Sequence, residues 1–327
     1  MNTQTGTSVE TERDIAAQPT KQRASKCLPA LKVKHLLLCT DFSPESHRAL
    51  EAAVLIWRQT NARITVLHVC EYGPIAAPTD EGLEYVEKLY QTRYRKLREV
   101  VDELRGFGIE SEFTALDGNA ASVILDMQAR LGFDMVVLGT RATLGVERFI
   151  FGSTAEAVFR KASCAVVTAG LHCRALDSFE IPMPIVFATD FSEGASEALN
   201  YAVAMANQFG TSLHCVHVLP LDQKDDHDLV VEGIMKDALK QQSNNGASCR
   251  LAPVWRVLYG TDVSEAIVGY AEEKGAQAIV LGVRRKPRVA SHLPPQRTYR
   301  ITMAAPCPVV TISSEYEKAS AIAGVCF

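Results

Sequence analysis

One stretch of this chain is written twice, and that constrains the fold more than any composition figure. Leu36-Leu37-Leu38-Cys39-Thr40-Asp41-Phe42-Ser43 returns as Ile185-Val186-Phe187-Ala188-Thr189-Asp190-Phe191-Ser192, an offset of 149 residues. The register continues without a gap to Leu67-His68-Val69 against Val216-His217-Val218. Farther on, Asp134 to Gly139 matches Gln277 to Gly282 at an offset of 143. A unit of about 145 residues is too long for a solenoid repeat and has the size of one domain. The spacing predicts an N-terminal domain over 31–170, a linker over 171–184 and a C-terminal domain over 185–313. Residues 1–30, polar and without an apolar run, read as a disordered leader, and 314–327 as a tail.

Inside each copy, short β-branched runs alternate with longer amphipathic stretches, the signature of a parallel sheet covered by helices on both faces. The first copy predicts strands at Val33–Cys39, Arg63–Val69, Ile109–Leu116, Asp134–Leu138 and Ala165–Thr168. Ser43-Pro44 opens the first helix with a capping hydroxyl and a proline at the first helical position. Helical spacing runs from Leu83 to Leu104, stopped by Gly106 and Gly108, and Ala120–Leu131 and Ser153–Ala162 are further helices. Tyr72–Asp80 reads as a loop. The second copy repeats the series from Ile185–Thr189 to Val309–Ile312. The link from Gly170 to Pro184 is short and holds two prolines, so the halves should be closely coupled.

With 47% hydrophobic residues the chain can fill two cores, and a formal charge of -4 gives no electrostatic case for nucleic acid or an anionic membrane. No apolar run approaches the length of a spanning helix. The cysteines number nine, an odd count without a C-x-x-C pair, and several, including Cys39, Cys164, Cys215 and Cys307, lie in strand-like runs. Buried reduced thiols in a cytoplasmic protein explain them better than a disulfide frame.

Between the fourth strand and the next helix runs Gly139-Thr140-Arg141-Ala142, then nine residues, then Gly152-Ser153-Thr154. Glycines admit backbone amides close to an anion, and a helix N-terminus offers unpaired N–H donors, so this loop suits a phosphate chain. An ordinary βα turn is the alternative. If strands one and four are neighbours, Thr40-Asp41 faces this loop across the crevice where an open sheet reverses its winding. Asp41 would then accept from a sugar or base, and Arg141, Ser153 and Thr154 would hold phosphates. The competing role for Asp41 is capping beside Ser43.

Taken together, the strand ending in Thr40-Asp41-Phe42-Ser43, the Leu67-His68-Val69 strand, the Gly118 turn and the loop spacing resemble the universal stress protein family in a tandem form. The likeness covers roughly Val33 to Ser313. It implies two doubly wound α/β domains of the adenine-nucleotide-hydrolase-like type, strand order 3-2-1-4-5, packed through their fifth strands. It also implies ATP in the first half; a divalent ion, Mg2+ or Mn2+, can ride on such phosphates with water completing its shell. The family's binding positions map onto Thr40, Asp41, Val69, Gly139, Arg141, Ala142, Gly152, Ser153 and Thr154, with Val69 against the adenine. Ala142 departs from the family, which has glycine there; if that position needs a positive φ, alanine is strained and affinity falls.

At the offset of 143, Ala142, Gly152, Ser153 and Thr154 become Arg285, Pro295, Gln296 and Arg297, so the second half should not bind ATP through this loop. The basic run Arg284 to Arg288 there reads as a solvated loop or a contact for an acidic partner. His68 and His217 read as core residues, and His214 and His217, three apart on a strand, point to opposite faces and would not share an ion. No catalytic triad or zinc spacing emerges, and Glu147 is the one acidic group in the loop for water activation. The expectation is a nucleotide-dependent regulatory module with an unidentified protein partner. Slow ATP hydrolysis or phosphotransfer, and a nucleotide-free scaffold, stand as alternatives. A homodimer of the whole chain stays open.

Overall fold

The structure, a computed structural model, describes residues 31–71, 80–140, 142–143, 150–175, 183–191, 195–223, 228–244, 249–283 and 296–313. The first half runs β1 (His35–Cys39), α1 (Pro44–Thr60), β2 (Arg63–Cys70), α2 (Asp80–Gly106), β3 (Ser111–Asp117), α3 (Ala120–Leu131) and β4 (Met135–Gly139). It closes with β5 (Ala142–Thr143), β6 (Ile150–Phe151), α4 (Ser153–Lys161) and β7 (Ala165–Ala169). The second half runs β8 (Ile185–Ala188), α5 (Ala195–Phe209), β9 (Leu213–Leu219), α6 (Asp228–Asn244) and β10 (Val254–Tyr259). It ends in α7 (Val263–Glu273), β11 (Ala278–Val283), α8 (Gln296–Ala304) and β12 (Val309–Ser313).

The halves join in one sheet of ten strands, ordered β10-β9-β8-β11-β12-β7-β4-β1-β2-β3. Each half therefore has the order 3-2-1-4-5, parallel throughout, and the fifth strands β7 and β12 pair antiparallel at the centre. That pairing removes an exposed edge from both halves at once. It carries a near-symmetric detail: Thr168 Oγ1 donates to Val309 O at 3.3 Å, and Thr311 Oγ1 donates to Val166 O at 3.2 Å. Both threonines are fully buried, and they stand 143 residues apart, the repeat offset of this region.

Alternation along β1 explains the layering. Leu36 and Leu38 enter a core under α1, α2 and α5 that runs unbroken through both halves, whereas Leu37 and Cys39 face α3 and α4 on the other side. The second face also crosses the boundary, since Tyr299 and Met303 of α8 join the core under α4, with the Phe159 and Tyr299 rings edge to face at 5.5 Å. The start of the linker is fixed as well: Cys173 is buried and Arg174 N donates to Pro306 O at 3.0 Å. Two domains sharing one sheet and one core have little freedom to move apart.

Most helix boundaries follow from local chemistry. Ser43 caps α1 by accepting from Ser46 N, with proline in the first turn, and Asn61 ends it in the left-handed conformation at φ 52°. The finding absent from the sequence reading is the β5–β6 ribbon, in which Ala142 pairs with Phe151 and Thr143 with Ile150. The nine residues after Ala142 contain a β-branched and aromatic pair, and these close an antiparallel ladder rather than an irregular wrap.

Candidate functional site

The crevice forms because β1 and β4 are neighbours whose following helices leave to opposite faces, so their carboxyl ends splay apart. Thr40, Asp41, Val69 and Gly139 come together at the ends of β1, β2 and β4, and Gly152, Ser153 and Thr154 form the start of α4 beyond them. Arg141 and Glu147 lie outside the described residues, as do Tyr72–Thr79, the leader, the tail and the 284–295 segment.

Around Thr40 the chain makes a tight, well-bonded turn. Thr40 N donates to Leu67 O at 2.9 Å, its hydroxyl accepts from Phe42 N at 3.0 Å, and that hydroxyl donates to Ser46 Oγ at 3.1 Å. Asp41 Oδ1 accepts from both Ser43 N and Ser43 Oγ, an Asx turn that feeds the α1 cap. The capping role weighed for Asp41 is therefore present, and the carboxylate is also exposed at the crevice. One oxygen serves the turn, which fixes the direction of the group.

Phe42 sits at φ 64°, a left-handed setting costly for a residue with a large side chain. Its ring stacks on His68 at 4.4 Å and lies under Lys96 Nζ at 5.2 Å. His68 Nδ1 is 2.9 Å from Thr40 O. A carbonyl only accepts, so Nδ1 carries the proton. Burial holds the His68 pKa below the usual imidazole value, opposed by that carbonyl bond and reinforced by the Arg93 charge. The second half repeats the device: Phe191 at φ 57° packs on His217 at 4.7 Å, and His217 Nδ1 meets Thr189 O at 2.7 Å. Both histidines brace the strand-one turn of their half, and they do so half-buried rather than in the core.

Gly139 meets a packing requirement that its motif does not indicate. A Cβ there would lie 2.5 Å from Glu45 C and 2.6 Å from Glu45 O and Ser46 N, so glycine lets β4 pass against the first turn of α1. Gly152 has open space around it and adopts φ -55°, ψ 129° as the N-cap of α4. Among the described residues no side chain caps α4, whose N-cap is Gly152, in contrast to Ser43, Asn119 and Asp262 at the starts of α1, α3 and α7. Its leading amides point outward with the positive end of the helix dipole. Ala142 lies in the extended β5 pairing, where alanine is at ease, so the conditional strain does not arise.

Sequence reasoning missed the contribution of α2. Arg93, only 4% exposed, bonds Asp117 at 3.0 Å and stacks on Tyr90 at 4.7 Å, while Lys96 covers Phe42. These cations bring positive charge beside His68, which also feels the Asp41 carboxylate. Their helical spacing was visible, but only the packing of α2 on β2 and β3 shows which face they take.

A duplicated, doubly wound α/β architecture with a crevice at each topological switch point defines the class. The universal stress protein family model matches residues 32–169 and 183–313, and the chain belongs to that family. A universal stress protein A homologue of Coxiella burnetii is 29% identical over 136 residues, covering 41% of this chain and 94% of the relative. A universal stress protein of Methanocaldococcus jannaschii is 27% identical over 139 residues, covering 41% and 80%. Among solved structures, a universal stress protein of Archaeoglobus fulgidus superposes with a TM-score of 0.65 at 22% identity, covering 86% of this chain and 99% of that one. No helix among the described residues is long and apolar enough to cross a membrane.

Proposed function

We propose that this chain is a nucleotide-dependent regulatory module of the stress response that binds ATP in its N-terminal half only. The observation that carries the reading is the uncapped start of α4, beside the carboxyl end of β4 and across the crevice from the oriented Asp41 carboxylate. Free helix amides favour polyanions, and a carboxylate at the opposite wall accepts from sugar hydroxyls. Val69, half-buried against the β-sheet core, offers an apolar surface for a base. On this reading Gly139, Arg141, Ala142, Gly152, Ser153 and Thr154 would serve the phosphates, and Thr40 would belong to the same site.

A Mg2+ or Mn2+ ion would enter with the phosphates, its shell completed by water. On this reading turnover is slow or absent and the bound state itself is the signal. The protein acts in the cytoplasm through a protein partner, and its domains divide at 31–170 and 185–313, with 171–184 between them.

The test is native mass spectrometry of protein purified without added nucleotide, followed by phosphate release with Mg2+ or Mn2+. Retained adenine nucleotide with negligible release supports the reading. Steady release that disappears in Gly152→Pro would make the chain an enzyme instead. No retained nucleotide and no binding on titration would leave a scaffold.

A further inference from the structure

The second half keeps a crevice after losing the residues of the phosphate loop. A cavity of about 380 Å3 opens at the carboxyl ends of β9 and β10, walled by Val218, Leu219, Pro220 and Val263. Its position answers to the Val69 side of the first crevice: Gly260 N donates to Leu219 O at 3.1 Å, as Gly118 N does to Cys70 O at 3.0 Å. The charged groups differ. Arg297, at the start of α8, stands where the first half has Thr154, and Asp222 belongs to the same lining. Arg297 is exposed and forms no ion pair among the described residues, whereas Arg300, one turn on, is committed to Asp262 and Glu265. The arginine is held in place through its backbone, since Ser264 Oγ donates to Arg297 O at 3.2 Å.

We infer that this cavity binds a small monocarboxylate with an apolar body, its carboxylate on Arg297. The volume lies in the range of small-molecule sites, and four apolar walls supply the burial. A planar guanidinium matches a carboxylate with two parallel hydrogen bonds. A triphosphate is a poor match: Arg297 is the one cation among the described lining residues, and Asp222 in the same lining adds negative charge that three phosphates would meet. The duplication has on this account produced two sites with different ligand chemistry. The inference stands whether or not the first half binds ATP.

Octanoate and its neutral counterpart octanol are the probes, titrated into the full chain by calorimetry, with folding followed by circular dichroism. Octanoate should bind more tightly than octanol, and Arg297→Ala should remove about tenfold of the octanoate affinity while leaving octanol unchanged. Arg297→Lys, which keeps the charge but not the fork, should fall between. Saturating ATP should leave octanoate binding intact, which separates this site from the first crevice. Octanoate binding no better than octanol, an Arg297→Ala protein that binds octanoate normally, or displacement of octanoate by ATP would each overturn the proposal.

Discussion

Replacing Gly139 by alanine adds one methyl group, and the structure says where it goes. The new carbon would sit 2.5 Å from Glu45 C and 2.6 Å from both Glu45 O and Ser46 N. Ordinary carbon contacts lie at about 3.5–4.0 Å, so the first turn of α1 must retreat by about 1 Å or β4 must bend. The obstacle is helix backbone, which cannot swing aside as a side chain can. Overpacking costs about 1–3 kcal/mol, and the rigid neighbour places this site at the upper end, about 3 kcal/mol. At about 2–4 °C per kcal/mol the midpoint of thermal unfolding should fall by about 6–12 °C. Gly152→Ala is the control: nothing lies within 4 Å of that Cβ and φ is -55°, so the loss should stay near 0.5 kcal/mol. Differential scanning calorimetry reads both variants. A midpoint for Gly139→Ala within about 1 °C of the parent would refute the close approach of β4 to α1. Lost ATP binding at unchanged stability would return Gly139 to the role of admitting phosphate.

Other consequences are equally specific. Thr168→Val and Thr311→Val each remove one buried hydrogen bond across β7 and β12, so each should cost about 1 kcal/mol by urea unfolding, and an unchanged midpoint would count against the central pairing. Asp41→Asn keeps an oxygen for the Asx turn and should unfold within about 0.5 kcal/mol of the parent, whereas Asp41→Ala should lose about 1 kcal/mol; both should weaken ATP, and equal stability of the two would deny the turn. Burial, the largest influence at each site, lowers the pKa of His35, His68 and His214, so the unfolded chain takes up more protons than the folded one below the ordinary value of 6.5. Stability should therefore be level above that pH and decline as pH drops beneath it, an effect that urea midpoints in His68→Gln should show reduced.

Much of this molecule can be read from its residues, for definable reasons. Short β-branched runs such as Arg63–Val69 and Ala165–Thr168 placed the strands, and the Ser43-Pro44 pair placed the start of α1 to within a residue. The repeat with its Thr-Asp-Phe-Ser and loop motifs pointed to the family and through it to the strand order. Residues whose role depends on a distant neighbour were not legible. Gly139 looks identical in sequence whether it makes room for an anion or for α1, and only the position of Glu45 separates the two. Phe42 at a positive φ, Lys96 above its ring, and the β5–β6 ribbon likewise depend on tertiary contacts that periodicity does not encode.

The asymmetry between the two crevices is tested most directly by the stoichiometry of ATP binding to the intact chain. Gly152→Pro is the appropriate probe, because φ -55° already suits proline and the extended Phe151 before it tolerates one, so the change removes an amide without disturbing the fold. Calorimetric titration should give one ATP per chain in the parent and a large loss of affinity in the variant. Two equivalents per chain, or one that persists unchanged in Gly152→Pro, would contradict the account.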